Sequence, residues 1–188
     1  MYEPMPGIPR EEKEPTINLK NTEIALRVYR DIAGYDASLY FYRGFFRQPW
    51  MMPDDPMMPT RLTLFYPRLS VYGASLQGRA LGGVLSFEAG YYDSRQDRSG
   101  IDPMIPNSQT RFLIAYQKEV WEDFTAGFQY YGEYMHDYSR YKENLPSGLP
   151  EHKRLYQLVS LRLTQFLKNQ TLRLSFFCFY GLTDHDYM

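Results

Sequence analysis

Residues 155–180, LYQLVSLRLTQFLKNQTLRLSFFCFY, decide the fold. From Leu155 to Leu167, Val159, Leu161 and Leu163 alternate with Ser160, Arg162 and Thr164. Beyond Lys168-Asn169-Gln170, Leu172, Leu174, Phe176 and Cys178 alternate with Arg173, Ser175 and Phe177. An apolar residue at every second position puts successive side chains on opposite faces of a strand; an amphipathic helix would repeat at three and four. Two such runs across a short polar turn predict a β-hairpin.

The same alternation extends toward the N-terminus. It covers Phe124–Glu133, Arg111–Val120, Gly83–Tyr92, Tyr35–Phe46 and Glu23–Asp31. It is weaker over Arg68–Leu76, where Gly73 blurs the face, and Pro67, which cannot donate to a ladder, marks that strand's start. These segments favour Tyr, Phe, Val, Leu and Thr, residues that suit a pleated surface. One face collects Ile24, Leu26, Leu39, Phe41, Leu85, Phe87, Phe112, Ile114, Phe128, Leu161 and Leu174. The other collects Arg27, Asp36, Tyr40, Glu88, Arg111, Gln117, Gln129, Glu133, Arg162 and Arg173.

The connections alternate in length. Ile32-Ala33-Gly34, Gln77–Gly82, Trp121-Glu122-Asp123 and Lys168-Asn169-Gln170 are short, while Arg47–Arg61, Asp93–Gln109 and Asp137–Arg154 are long and polar. Tight turns at one rim and long loops at the other predict an up-and-down antiparallel sheet of about eight strands.

Composition narrows the class. The 188 residues carry 21 Lys+Arg against 22 Asp+Glu, a net charge of -1. That balance argues against a nucleic-acid partner, which normally calls for a basic surplus. No stretch approaches the roughly 20 apolar residues of a membrane-crossing helix. A single cysteine, Cys178, excludes an internal disulfide and a multi-cysteine zinc site. Met1–Lys20 is rich in Pro and charge and has no apolar core of the kind a signal peptide needs.

Aromatic content is high, with 18 Tyr, 12 Phe and 2 Trp. Many sit near strand ends, among them Tyr29, Phe45, Tyr91, Tyr92, Trp121, Phe124 and Tyr180, as in the two interfacial girdles of a membrane barrel. About ten residues at about 3.3 Å each, tilted near 40°, rise roughly 25 Å, the height of such a barrel's apolar band. The expectation is therefore an all-β, up-and-down transmembrane β-barrel, with the apolar set facing lipid and the polar set lining a lumen. A soluble barrel or sandwich alternates in the same way with its apolar face inward. The two readings differ in what Ile24, Leu39, Phe87, Ile114, Phe128 and Leu161 touch.

The Tyr-rich hairpin segments Ala37-Ser38-Leu39-Tyr40-Phe41-Tyr42-Arg43-Gly44-Phe45 and Leu69-Ser70-Val71-Tyr72-Gly73-Ala74 resemble Gram-negative outer-membrane channels of the porin and alginate-export type. The resemblance spans most of Asn21–Tyr180. It implies an outer-membrane location, a lipid bilayer around the chain and passive passage of small polar solutes, with no enzyme activity and no cofactor. It specifies no oligomeric state. Barrels of this class keep both termini in the periplasm, whereas short turns on that side would put both ends of this chain outside. The expectation is a partial chain: residues 1–21 as an outer loop or lead-in, 22–181 as strands of a larger barrel, and 182–188 as a tail.

Other features carry weaker chemistry. Met51, Met52, Met57 and Met58 around Asp54 and Asp55 have the thioethers to hold a soft metal such as Cu(I), but Met and Pro in a loop more often pack on neighbours. His136-Asp137 with Ser139, and Asp184-His185-Asp186, offer hydrolase residue types whose geometry spacing cannot supply. Asp93–Asp102 is faintly like a calcium loop, interrupted by Arg95 and Arg98. Asn169-Gln170-Thr171 is a glycosylation triplet in a tight turn, and Cys178 falls among apolar positions.

Overall fold

A computed structural model of the chain describes residues 7–55 and 58–184. Among these residues eleven strands form two sheets. The main sheet holds β2 (Ile24–Ile32), β3 (Tyr35–Phe45), β6 (Arg68–Ala80), β7 (Gly83–Ser94), β8 (Gln109–Trp121), β9 (Phe124–Met135), β10 (Leu155–Leu167) and β11 (Leu172–Gly181). Every neighbouring pair is antiparallel and the spatial order follows the chain, so this is an up-and-down sheet. It is not closed, because β2 pairs only with β3 and β11 only with β10.

The short turns follow from backbone conformation. Ala33-Gly34 and Leu81-Gly82 have positive φ at both central positions, the type I′ geometry whose twist matches two-residue hairpins. The Gly34 amide also donates to Asp31 Oδ1 at 3.2 Å. Lys168, Asn169 and Gln170 all have positive φ. The connection read as Gln77–Gly82 contracts to two residues, because Gln77–Ala80 continue the ladder opposite Gly83–Ser86. Two large rings lie flat over cross-strand glycines. A Cβ on Gly78 would meet the Tyr35 ring at 2.3 Å, and one on Gly132 the Phe112 ring at 2.4 Å.

The long loops carry structure that the alternation did not predict. Between β3 and β6, β4 (Trp50–Pro53) and β5 (Leu62–Phe65) form a hairpin. Its β5 pairs in parallel with β1 (Arg10–Lys13), from the segment read as a lead-in. A short 3-10 turn, Leu19–Asn21, precedes β2, and helix α1 (Tyr138–Asn144) lies between β9 and β10.

Close packing is concentrated at the long-loop rim. Phe45, Leu62, Leu69 and Tyr141 are buried there with Pro67, Ser94, Asn107 and Ser108. Polar bonds hold this rim. Arg95 Nη2 donates to Gly44 O at 2.9 Å, Ser94 N to Ser108 Oγ at 3.0 Å, and His136 N to Ser108 O at 2.9 Å. Arg98 grips Asp93 through both carboxylate oxygens, at 2.9 and 2.7 Å. Burial lowers the Arg95 pKa from its usual value, since desolvation disfavours the charged form.

Candidate functional site

Strand register sorts the side chains into two faces, because residues opposite one another in a ladder share a face. All eleven residues of the apolar set share one. One row across all eight strands runs Arg30, Ala37, Leu76, Phe87, Ile114, Tyr130, Val159, Tyr180, charged only at its β2 edge. Within the described strands the charged residues on this face are Arg30 and Lys118 toward the turns and Arg43, Arg68 and Asp93 toward the loops. Among the described residues no second layer covers it. Ile24, Leu39, Phe87, Ile114, Phe128 and Leu161 remain 37–64% exposed, so they do not meet in a dry centre.

All ten residues of the polar set share the opposite face. Its charges balance: Arg27, Arg79, Arg111, Arg162 and Arg173 against Asp31, Asp36, Glu88, Glu119 and Glu133. Near the turns, Arg27 Nη2 donates to Ser38 Oγ at 3.1 Å, and its guanidinium lies over the rings of Tyr29 and Tyr40 at 5.2 and 5.4 Å. Tyr40 Oη shares a 3.0 Å hydrogen bond with Ser75 Oγ. Ser75 sits opposite Glu88, and one rung on, Gly73 opposes Gly90, leaving a floor without side chains.

Toward the loops a second cluster forms. The Arg111 guanidinium stacks over Tyr92 at 4.3 Å and its Nε lies 3.7 Å from Glu133 Oε1. Tyr131 donates its hydroxyl to the same carboxylate. The Gln109 amide, turned to satisfy both partners, accepts from Arg111 Nη2 at 2.6 Å and donates to Glu133 Oε2 at 3.2 Å. Tyr131 and Gln109 were not singled out in the sequence, and Tyr92 was read only as a strand-end aromatic. Their parity with Arg111 and Glu133 was the signal that would have found them.

Three hollows follow this face and share walls. One of about 340 Å³ lies between Arg27, Asp36, Tyr40 and Glu88. Tyr40 and Glu88 also bound the next, of about 370 Å³, which reaches Arg111 and Tyr131. Arg111 and Glu133 bound the third, of about 470 Å³, which is roofed by Trp50, Pro103, Tyr141 and His152. A trough thus runs from the turn rim to the loop rim, and all three long connections meet over its upper end. Gln129 accepts a 3.2 Å hydrogen bond from Ser160, while Gln117 lies opposite Gly127 and Val84. Arg162 and Arg173 lie at the β10–β11 side with no ion-pair partner among the described residues.

The remaining candidates resolve into structural roles. His136 Nε2 is 2.8 Å from Thr110 Oγ1, with Tyr91 and Tyr134 packed edge-on against the imidazole, and it makes no hydrogen bond to Ser139. Asp54 accepts from the amides of Asp55, Thr60 and Arg61 and from the Thr60 hydroxyl, which ties the β4–β5 loop instead of presenting a ligand. That Thr60 hydroxyl holds the Asp54 carboxyl well below the usual carboxylate range. Asp97 accepts from Ser99 and from the Asp102 amide. Among the described residues no three His, Cys, Asp or Glu side chains converge on a metal position. Met57, His185 and Asp186 lie outside the described residues.

Compared with protein-family models, curated proteins and solved structures, the chain has no significant match.

Proposed function

We propose that this chain forms the wall of a β-barrel in the Gram-negative outer membrane and passes small polar solutes passively along its polar face. The observation that carries the reading is the pairing of two faces on one sheet. The uncovered face is predominantly apolar, and its few in-strand charges are Arg30, Lys118, Arg43, Arg68 and Asp93. Soluble monomers rarely leave contiguous apolar patches larger than a few hundred Å², roughly, in water. Acyl chains match such a face, and the ladder satisfies the backbone groups within it. The opposite face carries balanced charge, stacked tyrosines and a continuous trough. Side chains of both signs along a wet path suit polar solutes without strong preference for either ion charge.

The test has two steps. The purified chain is mixed with phospholipid vesicles and centrifuged through a density gradient, and protein that floats is then added to a planar bilayer. The expected result is co-flotation followed by stepwise ion conductance. Protein that stays in solution without detergent contradicts the membrane assignment. Flotation without conductance favours the second reading, a structural or adhesive protein working through its long loops; the roof over the upper hollow is the observation on its side.

A further inference from the structure

The two edges of the main sheet are open, and the described residues on either side of it turn away from them. Those before β2 lead to β1, which pairs with β5. Those after β11 fold onto β10, where the Leu182 amide donates to Gln157 O at 3.0 Å and Thr183 Oγ1 accepts from the Gln157 amide at 2.8 Å. In lipid an open ladder edge leaves rows of unpaired amides and carbonyls, each costly to bury in hydrocarbon.

The edges differ in charge. On β2, Asp31 stands directly opposite Asp36 of β3, a like-charge pair that cross-strand geometry makes unfavourable. On β11, Arg173 occupies the polar face near the same rim and has no ion-pair partner among the described residues. The edge strands are antiparallel to one another and similar in length, 9 and 10 residues. Only registers that keep apolar opposite apolar preserve the two faces. One of these places Val28 opposite Phe176, Leu26 opposite Cys178 and Ile24 opposite Tyr180. The same register sets Asp31 against Arg173, Tyr29 against Ser175, and Arg27 against the Phe177 ring.

We propose that these edges are partners, with β11 of one copy pairing antiparallel with β2 of a second copy, so that two copies close a single sheet. The proposal rests on the membrane reading above. A second copy fits better than closure within one chain. About eight strands enclose just enough room for side chains, whereas about sixteen leave an aqueous channel. The polar face here must house Arg27, Glu88, Arg111, Glu133 and Arg162 together with the hollows between them. Arg173 then neutralises the Asp31–Asp36 pair at both junctions. Each junction is head-to-tail, and a twofold axis closes the ring.

The test uses the full chain with Cys178→Ser, Tyr29→Cys and Ser175→Cys, floated with phospholipid vesicles and then oxidised. The expected product on a non-reducing gel is a disulfide-linked dimer, with either cysteine variant alone remaining monomeric. Reversing charge by Arg173→Glu is expected to lower the dimer yield roughly two- to fivefold, and adding Asp31→Arg to restore it. Native mass spectrometry of the unsubstituted chain in detergent is expected to give two copies per particle. An internal disulfide, no disulfide in floated protein, or a single copy per particle overturns the two-copy sheet and leaves the membrane reading standing. Failure of the unsubstituted chain to float removes both.

Discussion

Replacing Ile114 by Arg discriminates sharply between lipid and water as the medium of the apolar face. Ile114 lies near the middle of β8, on the row between Phe87 and Tyr130, and is 43% exposed. In water, losing the buried half or so of its side chain costs about 1 kcal/mol, and the aliphatic stem of Arg recovers part of that. At the midplane of a bilayer, Arg on the lipid face of a barrel costs about 2–4 kcal/mol. The companion substitution is Ala115→Arg, one residue along and on the polar face opposite Ser86 and Gln129. There the guanidinium stays on the polar face, and a change of under about 1 kcal/mol is expected. Both variants are unfolded in guanidinium from phospholipid vesicles and followed by tryptophan fluorescence. Trp121, stacked on Phe124 at 3.9 Å, reports on the main sheet. Ile114→Arg is expected to lose roughly 100-fold in folding equilibrium relative to Ala115→Arg, at 1.4 kcal/mol per factor of about ten. Equal losses within about 0.5 kcal/mol, or a larger loss for Ala115→Arg, would refute the assignment of faces.

Further expectations concern single features. Leu81 holds φ of 53° and is 86% exposed, so Leu81→Asn is expected to raise the unfolding free energy by about 0.5–1 kcal/mol, read from a denaturant midpoint. Arg111→Ala removes the cation between the middle and upper hollows and leaves Glu133; reversal-potential measurements in a salt gradient are expected to shift toward cation preference, and an unchanged potential would place the path elsewhere. For Asp54 the folded-state pKa is depressed, so its stabilisation of the β4–β5 loop is fully present above the ordinary value of 3.8 and is lost only as pH falls well below it. Amide-exchange protection at Thr60 and Arg61 should therefore persist through that value in the native chain. Asp54→Ala should abolish it at every pH.

The main sheet was legible in the sequence because parity is a local property. Phe87 and Glu88 differ in polarity at adjacent positions, and only a strand sends them to opposite faces. The edge strands, the turn rim and both residue sets follow from that pattern. The β1–β5–β4 sheet was not legible. Arg10–Lys13 is wholly charged, Trp50–Pro53 does not alternate, and a parallel pairing between Arg10 and Leu62 leaves no trace in local spacing. Leu81 escaped notice because a branched side chain is a poor occupant of a left-handed turn; the ladder on both sides imposes it. Sequence neighbours did not reveal what His136 bonds to. Its partner Thr110 is 26 residues away and is brought beside it by the rung that joins Gln109 to Met135. The Met-rich loop likewise suggested ligands, whereas Asp54 spends its oxygens on the chain's own amides.

The unequal rims also bear on how such a wall would thread a bilayer. Four connections of two to four residues carry little that must shed water, whereas the opposite margin holds a bonded mass that includes Asp93, Arg98, Asp97 and the ordered turn of α1. Dragging that margin through hydrocarbon would strip hydration from many ions at once. With the short turns in the periplasm, as the proposed orientation has it, the looped margin is the one that would have to cross, and its ions would need a sheltered wet path in place of bare hydrocarbon.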